Sequence, residues 1–262
     1  MSNPIAESGA TEPVYTYYAD IRQRDVDQFD RLTPTALYGS MQDAAIAHSM
    51  SKGLSGKTFM DLGYAWMLNR IHISVKHCPT IFEAVTVRTW ASNLTGLYAI
   101  REFELLDEFN QVRACGTSRW VVIDLAKKRA VRLPNFLAER YGVLPKRALE
   151  DDFPKFDVKD TFDRSKEFQV RWSELDGNQH ANSACYVDWF VEAVPTEILQ
   201  THDLKELELE YKRELVLGDT LTSACTPVSA NAALTTIFDH KIINQEGQVL
   251  TAKGRTVWAH HD

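Results

Sequence analysis

The chain is short of several things that would each point to a class of function. No apolar run approaches the roughly 20 residues that a membrane-spanning helix needs, so no membrane span is expected. Only four cysteines occur, Cys78, Cys115, Cys185 and Cys225, and no two share a C-x-x-C spacing. That argues against a disulfide framework or a zinc cluster and for a reducing, cytoplasmic setting. The histidines His72, His77, His202, His260 and His261 show no ligand spacing, so no metal is expected. A glycine-rich phosphate loop is also missing, and no cofactor is implied. Positive charge is scarce: 29 Lys and Arg against 36 Asp and Glu leave a net charge of −7. General nucleic-acid binding is disfavoured on that balance. Basic clusters such as Lys127-Lys128-Arg129 and Lys146-Arg147 then read as solvated surface. Residues Met1 to Glu12 have neither a basic n-region nor an apolar h-region, and read as a loose tail, not a signal peptide.

What the chain does have is a repeat. Sliding it by 149 places lays Ile21-Arg22 on Val170-Arg171, Asp25-Val26-Asp27 on Glu174-Leu175-Asp176, and Asp43 on Glu192. Thr33-Pro34 falls on Asn182-Ser183, a helix N-cap followed by a helix opener in both copies. Each copy then reads as an extended segment, a polar turn, a helix apolar on more than one face, and a run of strands. Expected strands are Ala65 to Lys76, Ala84 to Ser92, Tyr98 to Asp107 and Val112 to Asp124 in the first copy. In the second they are Glu206 to Glu214, Asp219 to Pro227, Ala233 to Asn244 and Val249 to His260. By these hairpins the offset has fallen to about 137, so the first copy holds an extra segment near Leu54 to Tyr64. The expected organisation is a tail over 1–13, a first unit over 14–137, a linker over 138–165 and a second unit over 166–262. One helix followed by long antiparallel strands, twice over, implies an α+β fold of two units, each a sheet wrapped around a central helix: a tandem, or double, hot dog.

Chemistry resides in the second copy. Where the first has Phe29 and Arg31, the second has Asn178 and His180. These lie in Trp172 to Asn182, just before a helix start where unpaired N–H groups and the helix dipole favour an oxyanion. His180 can bind or activate water, and Asn178 offers a neutral donor and acceptor. Asp176 has a counterpart in Asp27, so a turn-forming role competes with a direct one. Glu214 ends the segment Leu209 to Glu214, with Pro79 opposite it in the first copy; it is either a general base or a solvated strand end. Cys185 reads as a helix core residue and Ser183 as a helix opener, since no G-x-S-x-G elbow surrounds it.

Taken in order, Trp172 to Asn182, Leu209-Glu210-Tyr211-Lys212-Arg213-Glu214, Arg70-Ile71-His72-Ile73, Arg101-Glu102-Phe103 and Ser118-Arg119-Trp120-Val121 resemble the fatty acyl-ACP thioesterases. The resemblance runs from about Tyr15 to the end of the chain. It implies hydrolysis of the thioester between a fatty acyl chain and the phosphopantetheine arm of acyl carrier protein, with catalytic positions at Asp176, Asn178, His180 and Glu214. A cysteine that plant members carry after that glutamate is here Leu215, which speaks for attack by water without a covalent intermediate. With no plastid transit peptide expected, the chain is similar to the shorter, bacterial members. The first unit would supply the acyl-chain wall, with Met41, Ile46, Met60, Tyr64, Trp66 and Met67 as candidates, ordinary core packing being the competing reading for most of them. Acyl carrier protein is the expected partner, and a homodimer is left open. Alternatives are an acyl-CoA thioesterase, a hot-dog dehydratase and a non-catalytic acyl-binding module.

Overall fold

The computed structural model describes residues 12–231 and 235–260; most of the expected tail, and the expected strand start at Ala233, lie outside them. The first unit runs β1 (Val14–Asp20), α1 (Pro34–Ser51), α2 (Gly56–Asp61), β2 (Tyr64–Val75), β3 (Ala84–Thr95), β4 (Tyr98–Leu106), β5 (Val112–Asp124), the short β6 (Arg129–Val131) and α3 (Phe136–Tyr141). The second runs β7 (Arg164–Gln169), α4 (Ser183–Ala193), α5 (Thr196–Thr201), β8 (His202–Tyr211), β9 (Thr220–Asn231), β10 (Thr235–Asn244) and β11 (Val249–His260).

The strands form one antiparallel sheet in the order β1-β3-β4-β5-β2-β8-β11-β10-β9-β7, with β6 paired to β5. Read inward from its two edges, the same topological order appears twice. The halves meet where β2 pairs β8, from Arg70 opposite Glu210 to Ser74 opposite Glu206. Thr33 caps α1, its hydroxyl accepting from the Ala36 N–H at 3.2 Å, and Asn182 caps α4, its amide oxygen accepting from the Ala184 N–H at 3.0 Å. In α1 the residues Leu37, Tyr38, Met41, Ala44, Ala45 and His48 are buried, at the helical spacing of a face turned to the core. In α4 the equivalent face is Tyr186, Val187, Trp189, Phe190 and Ala193. Each helix is enclosed by its own half of the sheet, which is the double hot dog that the repeat implies.

Several details differ from the sequence reading. The strand expected to reach Glu214 stops at Tyr211, so Glu214 stands on the loop beyond β8. That strand also begins earlier, at His202, directly after α5. Pro195 ends α4 but serves as the N-cap of α5, so a residue read only as a breaker also starts a helix. The extra segment of the first unit folds into α2, where the Ser55 hydroxyl accepts from the Thr58 N–H at 3.1 Å.

The segment from 142 to 163 carries no helix or strand, yet it is pinned across the seam. Trp90 donates to the Lys146 carbonyl at 2.8 Å, and Arg147 meets Glu102 at 2.7 Å. The buried Arg70 guanidinium pairs with Glu208 and donates to the carbonyls of Phe153 and Pro154 at 3.0 and 2.8 Å. Beside it, His72 Nδ1 lies 2.9 Å from Asp151, and its Nε2 faces Glu206. Burial works to lower the His72 pKa, but the hydrogen bonds to Asp151 and Glu206 outweigh it and raise it to about 9. Among the described residues, no helix is long and apolar enough to cross a membrane.

Candidate active site

The repeat fixes the site loop in atomic detail. In each unit an edge strand runs into one turn of 3-10 helix, closed by a carboxylate that accepts from the backbone three residues earlier. Asp25 takes the Arg22 N–H at 2.9 Å, and Glu174 takes the Arg171 N–H at 2.7 Å. The next acidic residue builds the turn itself. Asp27 Oδ1 accepts from the N–H groups of Phe29 and Arg31 at 2.8 and 3.1 Å. Asp176 Oδ1 accepts from those of Asn178 and His180 at 2.8 and 3.2 Å. Asp30 and Gln179 sit at φ of 60° and 65°, the left-handed bend that brings the chain back. Leu32 then donates to the Pro79 carbonyl and Ala181 to the Leu215 carbonyl, both at 2.8 Å. These bonds make Leu215 the counterpart of Pro79 and Glu214 the counterpart of Cys78, one place from the sequence register.

On this shared frame the two units carry different groups. In the first, Arg31 binds Asp27, Asp203 and the Leu199 carbonyl at 2.9, 2.9 and 3.1 Å. Its guanidinium fills the loop and leaves a recess of about 50 Å³. In the second, His180 Nε2 faces Glu214 Oε2 at 3.3 Å, and the pair opens on a cavity of about 590 Å³. Asp176, Asn178, His180 and Glu214 all line that cavity. The Asn178 side chain makes no hydrogen bond among the described residues, so its amide is available to a ligand. Cys185 is no rival: burial pushes its thiol up to about 12, and Sγ lies 3.7 Å from the Glu174 carbonyl oxygen.

The cavity continues into the first unit. Of the six wall candidates, Ile46, Met60, Trp66 and Met67 line it. Met41 and Tyr64 do not. Met41 is wholly buried, its sulfur against Gly116, and Tyr64 packs on Phe59 with ring centroids 5.7 Å apart. The sequence reading missed the inner lining, which includes Leu54, Phe59, Ala91, Leu94, Ala99 and Arg101. The available signal was the extra segment: α2 brings Phe59 and Met60 to the cavity, and the second unit has no such insertion. There the space is filled instead. Phe190 stacks on His240 at 4.6 Å and presses on Gly254, where any Cβ would collide with its ring. Arg101 is the cationic group that the first unit brings to the lining, which also holds its polar Gln42, Asp43 and Ser49. Its Nη1 lies 3.0 Å from His48 Nδ1 and 3.3 Å from the Thr89 hydroxyl, and its guanidinium lies over Tyr141. Burial foremost, with the nearby Arg101 charge, drops the His48 pKa to about 2, so His48 stays neutral and accepts from Arg101.

This arrangement can hold a long apolar group in one unit with a histidine–carboxylate pair against its end in the other. The family model for the acyl-ACP thioesterase N-terminal domain matches residues 12–141, and that for the C-terminal domain matches residues 158–260. A chloroplastic acyl-[acyl-carrier-protein] hydrolase of Cuphea viscosissima is 29% identical over 234 residues, covering 83% of this chain and 56% of the relative. The chain thus spans about half the length of the curated relatives it matches. The solved 12:0-ACP thioesterase of Umbellularia californica is 26% identical with a TM-score of 0.85, covering 95% of this chain and 94% of that one. An acyl-ACP thioesterase structure from Bacteroides thetaiotaomicron, 22% identical, shares the fold with a TM-score of 0.83 over 94% of this chain and 98% of its own. With both domain models matched in order along one continuous double hot dog, the chain belongs to the acyl-ACP thioesterase family.

Proposed function

We propose that the protein hydrolyses fatty acyl-ACP to free fatty acid and holo-ACP, with the thioester at the His180–Glu214 pair and the acyl chain in the first unit's cavity. The observation that carries this is the joining of the two: a histidine–carboxylate pair at 3.3 Å opens directly on an apolar-lined cavity of about 590 Å³. Glu214 takes a proton from water held between it and His180. The water oxygen adds to the carbonyl carbon, the C–S bond breaks, and the proton passes to the departing sulfur. Asn178 holds water or carbonyl, and Asp176 keeps both neighbours in place through the backbone bonds that it accepts. No thiol stands after Glu214, where the residue is Leu215, and the Cys185 thiol is held up by burial, so water is the nucleophile in this reading. Arg213 lines the same cavity and offers an acidic carrier a positive charge on a chain of net −7, whereas Lys212 is paired with Glu210.

The test compares turnover on acyl-ACP and acyl-CoA with the same chain. Equal release of thiol and fatty acid, faster from ACP, is expected. A strong CoA preference would overturn the carrier, an enoyl product would indicate dehydration, and retention of acyl ligand without release would indicate a binding module.

A further inference from the structure

We propose that Ser183 is a catalytic residue: its hydroxyl and its backbone N–H together bind the oxyanion, and Tyr38 and Gln42 of the first unit aim the hydroxyl. The inference rests on the thioesterase reading above and adds to it a donor pair and a contribution from the opposite half of the molecule.

Ser183 is the first residue of α4 and lines the cavity beside His180 and Asn178. Its Oγ accepts from the Tyr38 hydroxyl at 2.6 Å and from Gln42 Nε2 at 3.2 Å. A hydroxyl oxygen has two lone pairs, and these two donors occupy both. The Ser183 proton is therefore left to donate, and it has no acceptor among the described residues. The remaining direction is the cavity. The Ser183 carbonyl accepts from the Tyr211 hydroxyl at 2.9 Å, which fixes the residue from the other side. Burial pushes the Tyr38 phenol up to about 12, so it keeps the proton that it shares with Ser183. The Ser183 N–H is the first of the helix and, like other helix-opening donors, has no backbone partner.

The other copy supplies an independent observation. The residue equivalent to Ser183 is Pro34, which follows the N-cap Thr33 as Ser183 follows Asn182. Proline has neither an N–H nor a hydroxyl. The unit in which Arg31 fills the loop thus lacks both donors at this position, and the unit with the open His180–Glu214 pair has both. During the reaction, the carbonyl π electrons move to oxygen as water adds. The oxyanion is held by the two Ser183 hydrogen bonds without proton transfer, and it re-forms the carbonyl as the C–S bond breaks.

The experiment measures kcat and KM on acyl-ACP for the wild type, Ser183→Ala, Ser183→Thr and Tyr38→Phe. Affinities for an acyl trifluoromethyl ketone and for an inert thioether analogue are measured alongside. Removing one oxyanion donor typically costs about 10²- to 10³-fold in kcat; with the N–H retained, Ser183→Ala is expected to lose about 10- to 100-fold. Its KM and thioether affinity should stay near wild type, its ketone affinity should fall with kcat, and Ser183→Thr should recover most of the loss. Tyr38→Phe should show a smaller loss of the same kind. Wild-type kcat in Ser183→Ala overturns the proposal. So does a loss in which KM and thioether affinity worsen in step and threonine restores nothing, since that is the signature of a packing residue. A wild-type protein that releases no thiol from any acyl-ACP defeats the thioesterase reading itself, which separates the two failures.

Discussion

Substituting Ala99 by leucine should shorten the acyl chains that the cavity accepts. Ala99 is on β4, is 4% exposed, and lines the inner cavity together with Ala91 and Leu94. Leucine adds three carbons into space that is empty within about 590 Å³, so overpacking should cost the fold under about 1 kcal/mol. An acyl chain long enough to fill the cavity must withdraw a matching length. Each methylene kept out of an apolar site forfeits about 0.8 kcal/mol, so three forfeit about 2.4 kcal/mol, roughly a 50-fold fall in kcat/KM for that chain. Shorter chains never reach Ala99 and should be hydrolysed as before. The assay is competition among saturated acyl-ACPs of graded length, with released acids read by mass spectrometry. An unchanged product profile from a folded Ala99→Leu protein, or an equal fall at every length, would refute the assignment of the cavity to the acyl chain.

Other expectations concern the seam and the packing around Phe190. The His72 pKa is raised from 6.5 to about 9, so its contribution is complete below about pH 6.5 and lost as pH climbs through about 9. Burial works to raise Asp151, but the His72 contact and the Phe153 N–H outweigh it, and the His72 contact holds Glu206 low, so their contribution is lost on acidification; the cluster should be strongest between about pH 5 and 6.5. Thermal melts should show stability falling by on the order of 3 kcal/mol between pH 6.5 and 10, and His72→Gln should remove that slope. An identical slope in the variant would contradict the assignment. Gly254→Ala places a Cβ against the Phe190 ring and the Glu208 carbonyl, and should destabilise the protein by about 1–3 kcal/mol. An unaltered melting temperature would show that the packing of Phe190 on Gly254 is looser than described.

The parts of the fold legible in the sequence are those set by local chemistry. Asp25 and Glu174, Asp27 and Asp176, and the caps Thr33 and Asn182 each act within a few residues, so matching chemical type along the repeat found both loops and both helix starts. Register across an insertion was less legible. Glu214 was set against Pro79, although the backbone bonds pair it with Cys78, because strand side chains alone do not say where one residue was gained. The cavity was the least legible. Met41 and Ile46 are both apolar residues of α1, but Met41 points into the sheet and Ile46 into the cavity. Ala91 and Ala99 matter for their small size, which becomes visible only when β3, β4 and α2 come together. Arg101 carried no local sign of its place, and Ser183 read only as a helix opener, since their partners His48, Tyr38 and Gln42 come from other elements.

The most direct measurement is thiol release from acyl-ACP by the wild type, His180→Ala and Glu214→Gln, each checked for an intact fold. Turnover by the wild type with losses of about 10²-fold or more in both variants is the predicted result. Near-wild-type rates in both would contradict the assignment of hydrolysis to this pair.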